Sequence, residues 1–172
     1  MFEMTLLTAR QRPIEPPKGQ KFFTSVIYNG SFVVPKLVTS LSIVVIGGGG
    51  GYDGWKGADG KTAYIIDTPV TPGEILKVTV GAGGASWSDS GNGEASSVSK
   101  DGKLLAYGDG GMRGWNGSVT GGTARALVPG GRVYGGGGGS PSAAGSLTGI
   151  QGAVRIIWGP GRPTPPYNAP DV

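Results

Sequence analysis

Glycine restricts the fold of this chain more than any other feature, because a glycine-rich chain has few side chains to bury. All but four of the 36 glycines lie between Gly47 and Gly152, and glycine reaches about three times its usual share. Hydrophobic residues make up only 37% of the 172 residues. We therefore expect one domain with a small core. Four glycine tracts interrupt it, at residues 47–60, 81–93, 108–122 and 130–152.

Short apolar runs outside the tracts have the period of two that is typical of β-strands. Leu76, Val78 and Val80 alternate with Lys77 and Thr79, which predicts a strand with one buried and one wet face. Other strands are predicted at residues 41–45, 62–67 and 154–158. The chain has no convincing helical pattern. The sequence predicts an all-β fold, an antiparallel β-sandwich of roughly seven or eight strands.

Three turn signals lie beside these strands. Asn29-Gly30 and Asp101-Gly102 are preferred in type I′ turns, because both central residues of such a turn need a positive φ. Pro72 and Gly73 suit a type II turn between two further strands. The predicted hairpins pair residues 22–28 with 31–34 and residues 96–100 with 103–107.

Two of the tracts contain the same repeat, Gly-Gly-x-x-Gly-Trp-x-Gly, at residues 50–57 and 110–117. Glycine falls at every third position there. In a left-handed helix of three residues per turn, these glycines would lie on one face, which would carry no side chains. We predict a small bundle of polyglycine-II-like segments that hydrogen-bond to one another. Collagen is disfavoured by the short runs and the lack of proline. Disordered linkers are the alternative, although such linkers rarely carry tryptophan at matched positions.

The large side chains of the tracts are candidates for contact with a partner surface. Exposed aromatic rings stack on sugars and fill protein pockets at a small entropic cost. In the alternative interpretation, Trp55 and Trp115 pack on each other across paired tracts. The candidate contact residues are Tyr52, Trp55, Trp87, Met112, Trp115 and Tyr134.

Both ends of the chain are rich in proline, which favours extended structure. We predict an N-terminal arm at residues 1–21 and a C-terminal arm at residues 159–172, on either side of a domain at residues 22–158. The net charge is +4, and the basic N-terminal arm suits an acidic partner such as nucleic acid, lipopolysaccharide or another protein. A merely soluble basic tail is the alternative. The candidate assembly residues are Arg10, Arg12, Lys18, Lys21, Arg162 and Tyr167.

The composition is poorly suited to catalysis. The chain has no His and no Cys, so it lacks the commonest acid–base group, the usual transition-metal ligands and thiol nucleophiles. Asp53, Asp59 and Asp109 could serve a glycan hydrolase, but they lie in tracts that are expected to hold side chains poorly. We predict no enzyme activity, no catalytic residues and no metal site.

Glycine motifs for nucleotides are also incomplete. Gly49, Gly51 and Gly54 match G-x-G-x-x-G, and residues 60–62 resemble the end of a Walker A loop. Both motifs require a helix to follow, and the next segment reads as a strand. We therefore expect no cofactor. No apolar run reaches the ~20 residues of a membrane helix, so we expect no membrane insertion.

From Phe32 to Gly159, a series of blocks resembles the glycine-rich domain of bacteriophage tail and receptor-binding proteins. The blocks are Phe32-Val-Val-Pro35, residues 38–51, Val70-Thr-Pro-Gly73 followed by residues 77–84, and Gly152-Ala-Val-Arg-Ile-Ile-Trp-Gly159. The resemblance implies a virion protein without enzyme activity. Polyglycine-II bundles also resemble the tip adhesins of some phages, in which loops at the end of the bundle touch the bacterial receptor.

The resemblance leads to an expected function in a phage tail or fibre, in assembly and in attachment to the host surface. The expected partners are other virion proteins, further copies of the chain such as a homotrimer, and a bacterial surface glycan or outer-membrane protein; nucleic acid is not expected. A capsid decoration or head-fibre protein is the runner-up. A virion-associated glycan hydrolase is a remote third.

Overall fold

The computed structural model describes residues 14–25, 28–114, 122–127, 132–139 and 145–161. These residues form antiparallel β-sheets and contain no helix, which confirms the predicted all-β class. The strands are β1 (Gly19–Phe23), β2 (Tyr28–Val33), β3 (Ser40–Ile46), β4 (Thr62–Pro69), β5 (Ile75–Val80), β6 (Ser96–Lys100), β7 (Lys103–Gly108), β8 (Arg125–Ala126), β9 (Val133–Tyr134) and β10 (Ala153–Trp158).

Two four-stranded sheets share the main hydrophobic core. Sheet A has the order β1-β10-β3-β4, and sheet B has the order β2-β5-β6-β7. Ile43 and Ile156 of sheet A lie in the same buried cluster as Leu76, Val78 and Val98 of sheet B. Each buried aliphatic side chain contributes roughly 1.5–3 kcal/mol, so this cluster stabilises the sheets against each other. The predicted alternation along β5 is confirmed, with alternate residues buried.

Strands β3 and β10 are buried on both faces. Val44, Ile46 and Ala153 point away from the main core and pack with Leu127 and Tyr134 in a second cluster. The residues that cover them belong to or adjoin the small β8-β9 sheet. The sequence did not predict this third layer, because β8 and β9 are only two residues long.

Arg155 is a charged residue buried on this outer face of sheet A, with 2% of its surface exposed. Its Nε and Nη2 atoms donate to Oε1 of Gln20 at 2.9 and 2.6 Å, and its Nη1 donates to the Leu127 carbonyl at 2.7 Å. Its guanidinium also lies over the Phe22 ring. Arg155 therefore links β1 and the chain after β8 to the centre of sheet A.

Two of the three predicted turns are confirmed. Asp101 and Gly102 have φ values of 47° and 77° between the paired strands β6 and β7, and Gly73 has a φ of 82°. The predicted hairpin at Asn29-Gly30 is wrong. Both residues lie inside β2, which pairs with β5, while β1 pairs with β10. Asn and Gly are disfavoured in strands but sterically allowed there, so the Asn-Gly dipeptide alone does not determine a turn.

Each of the four glycine tracts leaves the end of one strand and returns to the start of the next. We call the resulting assembly the glycine bundle. Its outward segments follow β3, β5, β7 and β9, and its return segments precede β4, β6, β8 and β10. The outward segments are residues 47–52, 81–87, 108–114 and 135–139, and the return segments are residues 57–61, 91–95, 122–124 and 145–152.

Residues 47–52 form the centre of this bundle, and their backbone groups bond to surrounding segments with a period of three. The N–H groups of Gly47 and Gly50 donate to Lys61 and Ala58, those of Gly48 and Gly51 to Glu94 and Gly91, and those of Gly49 and Tyr52 to Ile150 and Leu147. The carbonyl groups accept from the outward segments, for example Gly48 and Gly51 from Gly111 and Gly114. A period of three is also the number of residues per turn of the predicted polyglycine-II-like segments.

Close packing explains why five consecutive glycines occupy the centre. A Cβ atom on Gly48, Gly50 or Gly51 would lie 2.0 Å from a carbonyl oxygen of a neighbouring segment. In a peripheral segment, only one residue of each three-residue turn faces the centre of the bundle. There a Cβ would clash at Gly57 and at Gly60, which contact Gly50 and Gly47 respectively. The run of five at residues 47–51 thus reflects a central position in the bundle, and the three-residue spacing of Gly57 and Gly60 reflects a peripheral one.

Residues 14–18 and 159–161 lie at the end of sheet A that is opposite to the bundle. Ala153 pairs with Ile46 beside the bundle, whereas Trp158 pairs with Gly19 at the far end. Residues 14–18 and 159–161 run close together there, since a Cβ on Gly159 would lie 2.6 Å from the Cα of Lys18.

Lys18 and Lys21 are both exposed. However, β1 begins at Gly19, so Lys21 belongs to the sheet and not to the predicted arm. The other candidate assembly residues lie outside the described residues; they are Arg10, Arg12, Arg162 and Tyr167.

Candidate functional site at the tip of the glycine bundle

The bundle ends in a group of turns that we call the bundle tip. Within the described residues it comprises residues 52–56, 85–91 and 145–147. Its exposed apolar side chains are Trp55, Trp87 and Leu147, with exposed fractions of 57%, 64% and 47%. Exposed large apolar side chains gathered at one place are typical of contact surfaces.

Tyr52 and Trp87 form an edge-to-face aromatic pair at this tip. Their ring centroids lie 5.3 Å apart with an interplanar angle of 73°, which is a favoured geometry for aromatic rings. The Trp87 N–H also donates to the Tyr52 carbonyl at 2.9 Å. Tyr52 is half-buried, so it supports the exposed indole from below.

Trp87 has an unusual backbone conformation, with a φ of 51°. For a bulky L-residue this left-handed region costs about 1–2 kcal/mol. Strained residues of this kind persist where the surrounding structure holds them and are concentrated at functional sites. In this conformation the Trp87 side chain lies on the surface and not in a core.

Trp55 is presented by a tight turn of the first tract. Gly54 before it has a φ of 78°, and the Trp55 N–H donates to the Gly114 carbonyl at 3.3 Å. Gly114 also forms a parallel bridge with Tyr52. The turn is therefore fixed to the outward segment of the third tract.

Arg113 connects two turns of the tip. Its Nη1 atom lies 3.0 Å from Oδ1 of Asp89 and 3.6 Å from Oδ2 of Asp53, and it donates to the Ser88 carbonyl at 3.0 Å. The Arg113 backbone N–H donates to Oδ1 of Asn92 at 2.8 Å. The sequence analysis did not single out Arg113. Its charge could have pointed to it, because Arg113 and the oppositely charged Asp53 occupy equivalent positions of the two repeats.

The remaining candidate contact residues lie elsewhere. Met112 is exposed on the flank of the bundle, where its carbonyl accepts from Ala58. Tyr134 lies in β9 and packs against the second hydrophobic cluster beside sheet A, with the Arg132 guanidinium over its ring. Tyr134 is thus not a tip residue. Trp115 lies outside the described residues, and with it the predicted packing of Trp55 on Trp115.

The carboxylates considered for hydrolysis have separate partners. Asp53 contacts Arg113, and Asp109 accepts from Lys61 Nζ at 2.7 Å. Asp59 is part of the scaffold, since its two carboxylate oxygens accept from the backbone N–H groups of Ala124 and Gly137. Among the described residues, no three His, Cys, Asp or Glu side chains are grouped as metal ligands.

The glycine motif that resembles a phosphate loop is used for packing. Gly49 and Gly51 are buried in the bundle, and their N–H groups donate to the Ile150 and Gly91 carbonyls at 2.9 and 2.7 Å. These donors are not available to a phosphate. The described residues also include no helix that is long and apolar enough to cross a membrane.

Neither the family models nor the curated proteins include a match to the chain. The tip turns the rings of Trp55 and Trp87 toward solvent, beside the exposed charged side chains of Lys56 and Asp89.

Proposed function

We propose that the chain is a structural protein of a bacterial virus, in a tail or fibre, that is anchored through its terminal arms and contacts the host surface through the bundle tip. The observation that carries this proposal is the polarity of the molecule. The chain enters at Gly19 and leaves at Trp158 from paired positions at one end of sheet A, and the four tracts extend from the opposite end of the stacked sheets. An anchored end and a free end are what an attachment protein needs.

The construction of the bundle supports the same proposal. Turns on the ends of backbone-bonded segments are held in place without a large hydrophobic core, and rigid placement of contact residues lowers the entropic cost of binding. Trp55 and Trp87 supply the aromatic side chains that dominate many binding surfaces. The partners would be other virion proteins, further copies of the chain, and a bacterial surface glycan or outer-membrane protein.

The location is tested by labelling purified particles with antibodies against the chain and imaging them by electron microscopy. Label on the tail or its fibres is expected. Label on the head would favour a capsid decoration or head-fibre protein, and absence of the chain from particles would refute the proposal.

Attachment through the arms is tested by deleting residues 1–18. The deletion should end before Gln20, because its side chain accepts from buried Arg155. We expect a folded protein that no longer joins the particle. Normal incorporation would show that the N-terminal arm is dispensable.

The role of the tip is tested by binding of the purified protein to host cells. The double variant Trp55→Ala/Trp87→Ala should lose binding and keep its circular dichroism spectrum. Ile75→Ala is a matched control, since Ile75 is 63% exposed on sheet B and should be neutral. If both variants bind like the native protein, the tip is not the contact surface.

A further inference from the structure

A second surface that could bind a ligand is a groove on the side of the molecule, where the end of β7 meets the glycine bundle. It is an open groove between Tyr107 of β7, Lys61 of the return segment 57–61 and Met112 of the third tract. Gly93 and Gly110 also line it.

A charged pair lies on one side of this groove. Lys61 Nζ donates to Oδ2 of Asp109 at 2.7 Å, and the Lys61 backbone N–H donates to the Asp109 carbonyl at 2.8 Å. The side-chain hydrogen bond from Lys61 lowers the pKa of Asp109, and a further bond from the Tyr107 hydroxyl acts in the same direction. The hydrogen bond to Asp109 raises the pKa of Tyr107. Lys61 and Asp109 thus hold each other's side chains in place beside Tyr107.

These groups keep spare hydrogen-bonding capacity toward solvent. A carboxylate has about four acceptor positions and an ammonium group three donors. The side chains of Lys61 and Asp109 are 62% and 44% exposed. Ligand groups can therefore reach both side chains without breaking the pair.

The rest of the groove is apolar or bare backbone. Tyr107 and Met112 are 45% and 54% exposed and form its walls. A Cβ on Gly110 would lie 1.9 Å from the Gly93 carbonyl oxygen, so the two segments touch through their backbones and form a flat floor. At ~3.1 Å per residue, the segment from Asp109 to Met112 spans roughly 9 Å. This length has room for a short saccharide.

We infer that this groove binds an uncharged saccharide, with a sugar ring on the face of Tyr107 and neighbouring hydroxyl groups on Asp109 and Lys61. A hydroxyl group both donates and accepts, so adjacent hydroxyls can serve the carboxylate and the ammonium together. A carboxylate beside the ammonium disfavours an anionic ligand, and the ammonium likewise disfavours a cation. The apolar face of a sugar ring suits an exposed tyrosine.

The test is ligand-observed saturation-transfer NMR on the purified full chain with maltohexaose, cellohexaose and chitohexaose as probes. We expect at least one of them to bind. Tyr107→Ala should weaken that binding about tenfold through loss of the ring contact. Tyr107→Phe keeps the ring and should bind nearly as well, whereas Asp109→Asn removes the charged pair and should weaken binding.

Tyr64→Ala is the matched control, because Tyr64 is a similarly exposed tyrosine, at 44%, on β4 of the other sheet. It should bind like the native chain. The inference is wrong if none of the probes binds at millimolar concentration, or if Tyr107→Ala binds as tightly as Tyr64→Ala. The assay needs no virus particle. Its failure is therefore distinguishable from failure of the proposed virion function, which the tip variants test.

Discussion

The Arg113 guanidinium lies 3.6 Å from the Asp53 carboxylate at the bundle tip, and the two residues occupy the same position of the two glycine repeats. Their segments, residues 47–52 and 108–114, run outward side by side, as the parallel bridge between Tyr52 and Gly114 indicates. The bridge, together with the bond from the Gly114 N–H to the Gly51 carbonyl, shows that the two repeats are offset along the bundle. The ion pair therefore joins residues at different levels of the two tracts and links these tracts at the tip.

The pair should contribute measurably to stability, whereas the shorter contact of Arg113 to Asp89 should not. The side chains of Arg113 and Asp53 are 27% and 13% exposed, while that of Asp89 is fully exposed. Partial burial strengthens an ion pair and exposure screens it. Double-mutant cycles by urea unfolding should give a coupling on the order of 0.5–1 kcal/mol for Asp53–Arg113 and near zero for Asp89–Arg113. The reverse order would contradict this view of the tip.

Substitution of a central glycine should disrupt the bundle. The Cβ of Gly50→Ala would lie 2.0 Å from the Met112 carbonyl oxygen, so the cost should exceed the roughly 1–3 kcal/mol of ordinary overpacking. Gly54→Ala is the control. Gly54 has no neighbour within 4 Å of its Cβ position, and only its positive φ opposes the change, at a cost of about 1 kcal/mol. The comparison is made by thermal unfolding; equal melting temperatures would show that the centre is not close-packed.

The strain at Trp87 can be separated from its contact role. At a φ of 51°, glycine is more favourable than alanine by about 1 kcal/mol. We expect Trp87→Gly to unfold at a higher temperature than Trp87→Ala, although both should bind host cells equally poorly. If Trp87→Ala is the more stable variant, the left-handed conformation is not maintained in solution.

Acid should weaken the link between the ends of β5 and β6. Glu74 lies 2.5 Å from Lys100 Nζ and accepts from the Thr71 N–H. These bonds, the one from Lys100 first, hold the pKa of Glu74 below its ordinary value of 4.5. Its contribution to stability is therefore complete above about pH 4.5 and is lost as the pH falls through the folded-state pKa.

This pH dependence is measured as the free energy of unfolding at a series of acidic pH values. Glu74→Gln should be less stable than the native chain at neutral pH, and the difference should shrink in acid. A difference that does not change with pH would show that the carboxylate charge is not involved.

Local features of this protein could be predicted where a residue's own geometry is decisive. The positive φ at Asp101, Gly102 and Gly73, the alternation along β5 and the three-residue period of glycine all follow from steric properties of single residues. The Asn29-Gly30 dipeptide shows the limit of such reasoning. The free energy that favours a turn at this dipeptide is small compared with that of pairing β2 with β5, which forms a ladder of hydrogen bonds along the whole of β2.

The amino-acid sequence by itself determined the all-β class, the tracts and the aromatic residues in them, because side-chain volume and backbone freedom are local properties. Only the tertiary structure decided which of those aromatics share the tip, that Tyr134 packs beside sheet A, and that Arg113 contacts Asp53 and Asp89. The physical reason is that these contacts join residues far apart in the chain. Glycine allows the backbones of two segments to approach closely at many positions. The hydrogen bonds between the segments determine which of these positions are in contact.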